Sequence, residues 1–190
     1  MSSVEQNEDY DLVQLALKDP DSYKLLVDKY ESKLLRYIRR VLIANNADSE
    51  DVLQEVFIKA YKNLNSYDKK YKFSSWIFRI AHNETIDFIR RNSRRKKGIL
   101  FRVSGEDIED LASDLDLEAE LLKKDSSDML ANALSELDAK YRDVLVLKYL
   151  EEMDYNEISE ILRIPQGTVG SLISRAKVKL KRLLKQNEQN

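Results

Sequence analysis

Apolar residues along this chain return every three or four positions, the interval that gathers them on one face of an α-helix. The pattern predicts helices over residues 22–43 (SYKLLVDKYESKLLRYIRRVLI), 48–64 and 74–91. In the second, Leu53, Val56, Phe57, Ala60, Tyr61 and Leu64 keep the interval, and Asp48 with Asp51 three residues later marks its start. With that face packed, Asp51, Gln54 and Glu55 remain available outside it. Beyond Arg91 the periodicity dissolves. It returns near Ser127, where Leu134, Leu137, Tyr141, Val144 and Leu145 supply another apolar face.

The most specific stretch is DYNEISEILRIPQGTVGSLISRAKVKLKRLLK, Asp154 to Lys185. Asp154 followed by Glu157 can satisfy backbone groups at a helix start from both directions. Tyr155, Ile158, Ile161 and Leu162 then form one apolar face. Pro165 suits the first position of a second helix, where its missing N–H costs nothing and its φ is already helical. Along that helix Val169, Ile173, Ala176, Leu180 and Leu183 form a buried stripe, while Ser171, Ser174, Arg175, Lys181, Arg182 and Lys185 lie mostly on the other side. No acid occurs from Arg163 through Asn187. Two helices at a tight corner, the second with charge of one sign, make a helix-turn-helix fitted to the major groove of DNA.

Composition narrows the class. Four Gly, two Pro and few β-branched runs argue for an all-α fold. With no Cys the chain has no disulfide or thiolate zinc site. His82 is the only histidine and is expected to be a packing or surface residue. No ligand cluster has metal spacing, and no phosphate loop or nucleophile–base set is present, so we expect no metal, no cofactor and no enzyme. No apolar run approaches the roughly 20 residues that cross a bilayer, and the N-terminus MSSVEQNEDYD lacks a signal-peptide core. The expectation is a cytoplasmic protein without membrane insertion.

The net charge of −2 hides a segregated pattern. Residues 1–97 carry 19 basic and 15 acidic side chains, residues 98–130 carry 3 and 10, and residues 131–190 carry 10 and 9. These divisions predict two small helical domains, residues 1–97 and 128–190, joined by a flexible acidic linker over 98–127, with a transient helix near 117–124. Fully extended, such a linker spans on the order of 100 Å. Whether the domains pack on each other is left open by so long a tether.

Two separated segments resemble one family. DSEDVLQEVFIKAYKNL (Asp48 to Leu64) and FSSWIFRIAHNETIDFIRR (Phe73 to Arg91) resemble region two of bacterial sigma-70 factors. LSELDAKYRDVLVLKYLEEMDYNEISEILRIPQGTVGSLISRAKVKL (Leu134 to Leu180) resembles their region four. Only these two regions occur, which resembles the extracytoplasmic-function, or group four, subfamily. The resemblance implies a sigma factor whose partners are core RNA polymerase (β′ clamp helices and β flap), promoter DNA and an anti-sigma factor. It assigns polymerase binding to Asp51, Gln54, Glu55 and Phe57, where carboxylates and an amide suit an Arg-bearing helix. It assigns minus-ten binding to Tyr67, Lys70, Tyr71, Phe73, Trp76, Phe78, Arg79, Asn83, Arg90 and Arg91. There, aromatics beside lysines in the loop 65–73 suit an unstacked base, and cations suit phosphates. For Trp76 a core position is the stronger competing reading. The basic run continues through Arg94, Arg95, Lys96 and Lys97, and the acids Asp107, Glu109, Asp110, Asp114 and Asp116 either imitate nucleic acid in the polymerase's RNA path or serve as a soluble spacer.

Minus-thirty-five binding falls to Gln166, Thr168, Ser171, Ser174, Arg175 and Lys177. One departure stands out: Gly170 and Leu172 occupy positions where family members often carry basic residues, so readout is expected to be weaker or differently specific. Two other readings stay open, a helix-turn-helix regulator that binds operator DNA without polymerase, and a polymerase-binding protein without promoter readout.

Overall fold

The structure, a computed structural model, describes residues 3–42, 46–92 and 124–187. Every regular element among them is helical. The helices are α1 (Ser3–Lys18), α2 (Tyr23–Leu42), α3 (Asn46–Lys62), α4 (Phe73–Asn92), α5 (Lys124–Glu136), α6 (Ala139–Leu145), α7 (Tyr155–Leu162) and α8 (Gln166–Asn187). A π-helical turn, Val146–Leu150, continues α6. The expected helices at 22–43, 48–64 and 74–91 are α2, α3 and α4. The basic run 94–97, the transient helix up to residue 123 and the linker acids lie outside the described residues, and Lys124 begins α5.

Helices α2, α3 and α4 pack together because each carries an apolar stripe: Leu26, Leu34, Ile38 and Val41 on α2, Val52, Val56 and Ala60 on α3, and Ile77 and Ala81 on α4. Aromatic edges lock the register, with Tyr30 meeting Phe73 at 5.4 Å and Tyr37 meeting Phe78 at 5.3 Å between centroids. Helix α1 is an element the sequence pattern did not announce. Among its described side chains, Val13 and Ala16 enter the deep core. Its anchor is polar: buried Asp9 accepts a hydrogen bond from the Tyr30 hydroxyl and pairs with Lys29 at 2.9 Å.

In the second half Leu134, Leu137, Tyr141, Val144 and Leu145 are all buried, as their spacing predicts. The start of α7 has both halves of the capping box: the Glu157 N–H donates to Asp154 Oδ1 at 2.9 Å, and the Asp154 N–H donates to Glu157 Oε2 at 2.9 Å. Its end turns at Arg163, which adopts the left-handed conformation, φ 54 and ψ 44. Pro165 stands just before α8, where its carbonyl accepts from the Thr168 and Val169 N–H groups. The buried stripe of α8 is Val169, Ile173, Ala176, Leu180 and Leu184. Leu183, expected there, is half-buried, because a 3.6-residue period carries the stripe from 180 to 184. Tyr155, expected on the apolar face of α7, is 38% exposed.

The two halves pack against each other. Helix α4 lies on α7, and α2 meets α6 and the π-turn. Arg40 is buried in this junction, donating to the Leu150 carbonyl at 2.9 Å and to Glu151 Oε1 at 2.7 Å. Lys72 reaches Glu157 at 3.2 Å and Asp154 at 3.3 Å from the other side.

Candidate nucleic-acid and protein interfaces

The acidic face of α3 is where its amphipathic pattern puts it. Asp51, Gln54 and Glu55 are exposed, while Phe57 is half-buried and its carbonyl accepts from the Tyr23 hydroxyl at 2.9 Å. Asp51 and Glu55 form one rim of a groove between α3 and α4, whose lining also includes Val52, Lys59, Glu84 and Phe88. The groove sets apolar Val52 and Phe88 beside the carboxylates of Asp51, Glu55 and Glu84, with Lys59 also on its wall. Arg91, assigned to DNA from sequence, lines this groove with Asn92.

The residues assigned to the minus-ten side divide by depth. Phe73, Trp76 and Phe78 are buried, so they build the core beneath α4 and do not face solvent in this arrangement. Trp76 contacts Phe73 at 5.4 Å and Tyr67 at 5.9 Å, which makes it a support for the loop before α4. Tyr67 is half-buried, donates to the Tyr71 carbonyl at 2.9 Å, and has its pKa pushed up to about 12 by burial. Lys70 and Tyr71 are exposed at the loop tip, and the loop is pinned where the Lys70 N–H donates to Asp68 at 3.0 Å. Asn83, Arg90 and Arg91 are exposed along α4.

Arg79 is half-buried where α4 meets α7. Burial and the nearby Arg163 lower its pKa, while Glu160 opposes them. The same burial raises the pKa of Glu160. His82 packs 3.0 Å from the Tyr37 hydroxyl, and burial holds its pKa down at about 4, so its ring is neutral at pH 7. Of the two placements expected for it, packing or surface, it takes the packing one.

On α8 the exposed residues Gln166, Thr168, Ser171, Ser174 and Arg175 stand opposite the buried stripe, and Lys177 is half-buried with its ammonium 6.0 Å from the Tyr149 ring. Ser171 turns inward to donate to the Thr168 carbonyl at 2.9 Å. Tyr155, at the start of α7, has its ring beside Gly170 of this helix, and Lys148 of the π-turn holds its ammonium 5.7 Å from that ring, a juxtaposition the sequence did not announce. Tyr155 keeps the apolar spacing of its helix, so its exposure could not be read from the sequence. Among the described residues no group of His, Cys or carboxylates is arranged to hold a metal, and no helix is long and apolar enough to cross a membrane.

Comparison with known proteins places both halves. The profile of sigma-70 region 2 matches residues 26–95, and that of sigma-70 region 4 matches residues 127–180. The chain is 37% identical to the ECF RNA polymerase sigma factor SigW of Bacillus subtilis, over 88% of this chain and 91% of that protein. It is 30% identical to the ECF RNA polymerase sigma-E factor of Escherichia coli, over 91% and 92%. Among solved structures, CnrH in complex with the cytosolic domain of CnrY superposes with a TM-score of 0.65 at 25% identity, over 92% of this chain and 95% of that one. RpoE bound to the anti-sigma factor NepR from Bartonella quintana superposes at 0.61 and 24% identity, over 85% and 98%.

Proposed function

This chain belongs to the extracytoplasmic-function group of the sigma-70 family of RNA polymerase sigma factors, and from that premise we propose how its two halves divide the work. As a sigma factor it binds core RNA polymerase and directs transcription from specific promoters. Sigma factors regulate transcription without being enzymes, and we assign this chain no chemistry of its own; catalysis stays with the polymerase. Its place of work is then the cytoplasm.

The first half, within residues 1–97, takes the polymerase. Asp51, Gln54 and Glu55 meet the β′ clamp helices through charge-assisted hydrogen bonds, with the α3–α4 groove receiving apolar side chains. The same half reads the minus-ten element. Asn83 offers an amide to a base edge, Arg90 offers a cation to phosphate, and exposed Tyr71 with Lys70 stacks an unpaired base and tracks its backbone. Trp76, Phe73 and Phe78 hold that surface rigid from below. The second half, within 128–190, engages the β flap and lays α8 in the major groove at minus thirty-five, with Arg175 and Ser174 at its exposed face. CnrH was captured with the cytosolic domain of another protein. RpoE was captured with the anti-sigma factor NepR, and we assign this chain an anti-sigma partner as well.

The observation that carries this reading is the pairing, in one chain, of an acid-faced helix on the first module with an acid-free recognition helix on the second. Competition for core polymerase tests it. The double variant Asp51→Lys, Glu55→Lys is expected to lose core affinity by at least tenfold while its thermal melting stays within a few degrees of the parent, since both side chains are exposed. Undiminished core binding by that variant would remove α3 from the polymerase interface.

A further inference from the structure

Helix α1 precedes the region 2 segment of the chain, yet it is tied to the loop 65–73 by two routes. The direct tie is Tyr10, whose ring centroid lies 5.5 Å from the ammonium of Lys69, an exposed residue of the loop. The second route runs through the core. Buried Asp9 accepts from the Tyr30 hydroxyl, the Tyr30 ring meets Phe73 edge-on at 5.4 Å, and Phe73 meets Tyr67 at 5.2 Å. The Tyr67 hydroxyl then closes the loop by donating to the Tyr71 carbonyl. The pKa of Tyr67, pushed up chiefly by burial, is raised further by Asp9 and Tyr10, so α1 stands close behind the loop.

A loop that takes up an unstacked base gains affinity from being held in its bound shape beforehand, because ordering it on binding costs conformational entropy. A lysine held over a ring face keeps its charge while its long side chain is confined. We propose that α1 is a positioning element for the minus-ten loop, with Tyr10 holding the Lys69 side chain and the series Asp9, Tyr30, Phe73 and Tyr67 fixing the loop's form. Lys70 and Tyr71 then meet the unpaired base in one geometry. Asp9 and Tyr10 act through the loop and touch no nucleotide. This role rests on the reading of the loop 65–73 as the one that takes up a minus-ten base.

The test uses holoenzyme, the full chain on core polymerase, and fork-junction DNA built from promoters that the parent holoenzyme selects from a random library, with the non-template minus-ten strand left unpaired. Abasic replacement at each minus-ten position measures what that base contributes to affinity. The position whose penalty disappears in Tyr71→Ala is the base the loop holds. There Tyr10→Leu is expected to lower the base's contribution by roughly twofold to fivefold, with the other positions and affinity for a minus-thirty-five duplex as in the parent. Tyr10→Phe, which keeps a ring face for the ammonium, is expected to restore it, and Tyr10→Leu is expected to cost nothing further in a Lys69→Met background. Tyr30→Phe, which breaks the second route while leaving a ring on Phe73, is expected to show the same loss at the same position. Losses spread evenly over all positions, or no rescue by Tyr10→Phe, would reveal a general loosening of the fold and overturn the positioning role. Each route stands or falls with its own variant: parent-like Tyr10→Leu and Tyr30→Phe, beside a Tyr71→Ala that loses one base, would overturn the role of α1 and leave the loop reading standing. A Tyr71→Ala that loses no base would overturn the loop reading and the role of α1 with it.

Discussion

Arg163 ends α7 in the left-handed region that glycine occupies freely and other residues enter at a cost of roughly 1–2 kcal/mol. Arg163→Gly is therefore expected to raise stability by about 1 kcal/mol, visible as a higher melting temperature, and it also relieves the repulsion that Arg79 feels. A lower melting temperature would mean that Arg163 makes contacts outweighing its backbone strain. Asp143 offers a pH-resolved case. Burial pushes its pKa up to about 7 from 3.8, against the pull of Arg142, and its Oδ1 has no hydrogen-bond partner among the described residues. The folded state thus holds this proton more tightly than the unfolded chain does. Its contribution is full below about pH 4 and is lost as pH rises toward 7. Asp143→Asn should stabilise the protein at pH 8 by on the order of 2–4 kcal/mol and change little at pH 4. Equal effects at both pH values would contradict the assignment. At this scale the sequence was only partly legible. Burial of Phe73 and Phe78 could not be read from residue type, since an aromatic on a helix suits a core and a base equally well. Gly170 stood out as a departure, but its neighbour Tyr155 comes from another helix, a proximity that spacing along α8 does not encode.

Among the elements, α7 shows how local chemistry fixes a boundary. Asp154 caps the helix, and although burial acts to raise its pKa, the Glu157 N–H and Lys72 outweigh that and hold it below the usual value. Asp154→Ala should cost about 1–2 kcal/mol in thermal or urea unfolding, whereas Asp154→Ser, which keeps a capping oxygen, should cost clearly less. Equal losses would show that the Lys72 contact, rather than the cap, is what matters. This helix was legible because its signals are neighbours in sequence. Helix α1 was not, because its hold on the domain is a buried hydrogen bond to Tyr30 and an ion pair with Lys29, each far from Asp9 along the chain. The π-turn after α6 is of the same kind: it carries Lys148 and the carbonyl that receives Arg40, and nothing in its apolar run VLKYL distinguishes it from α-helix.

For the whole molecule, the packing of the two halves is the feature the sequence left open, and the structure answers it with Arg40 and Glu151 buried across the junction. Removing one member of a buried ion pair strands the other and costs roughly 3–5 kcal/mol. Glu151→Ala should therefore shift the balance from packed to separated halves by roughly a hundredfold or more, read as an increased radius of gyration in solution scattering. An unchanged radius would show that the apolar contacts between α4 and α7 suffice. Separation would also bare Arg79 and the α4 surface now facing Glu160, which links this junction to promoter access. The central claim, that these two halves together make a sigma factor, is tested most directly by adding the purified chain to core RNA polymerase on a promoter library and sequencing the transcript starts. A sigma factor gives starts that share two elements at fixed spacing and that vanish with Asp51→Lys, Glu55→Lys; starts no different from those of core polymerase alone would contradict that role.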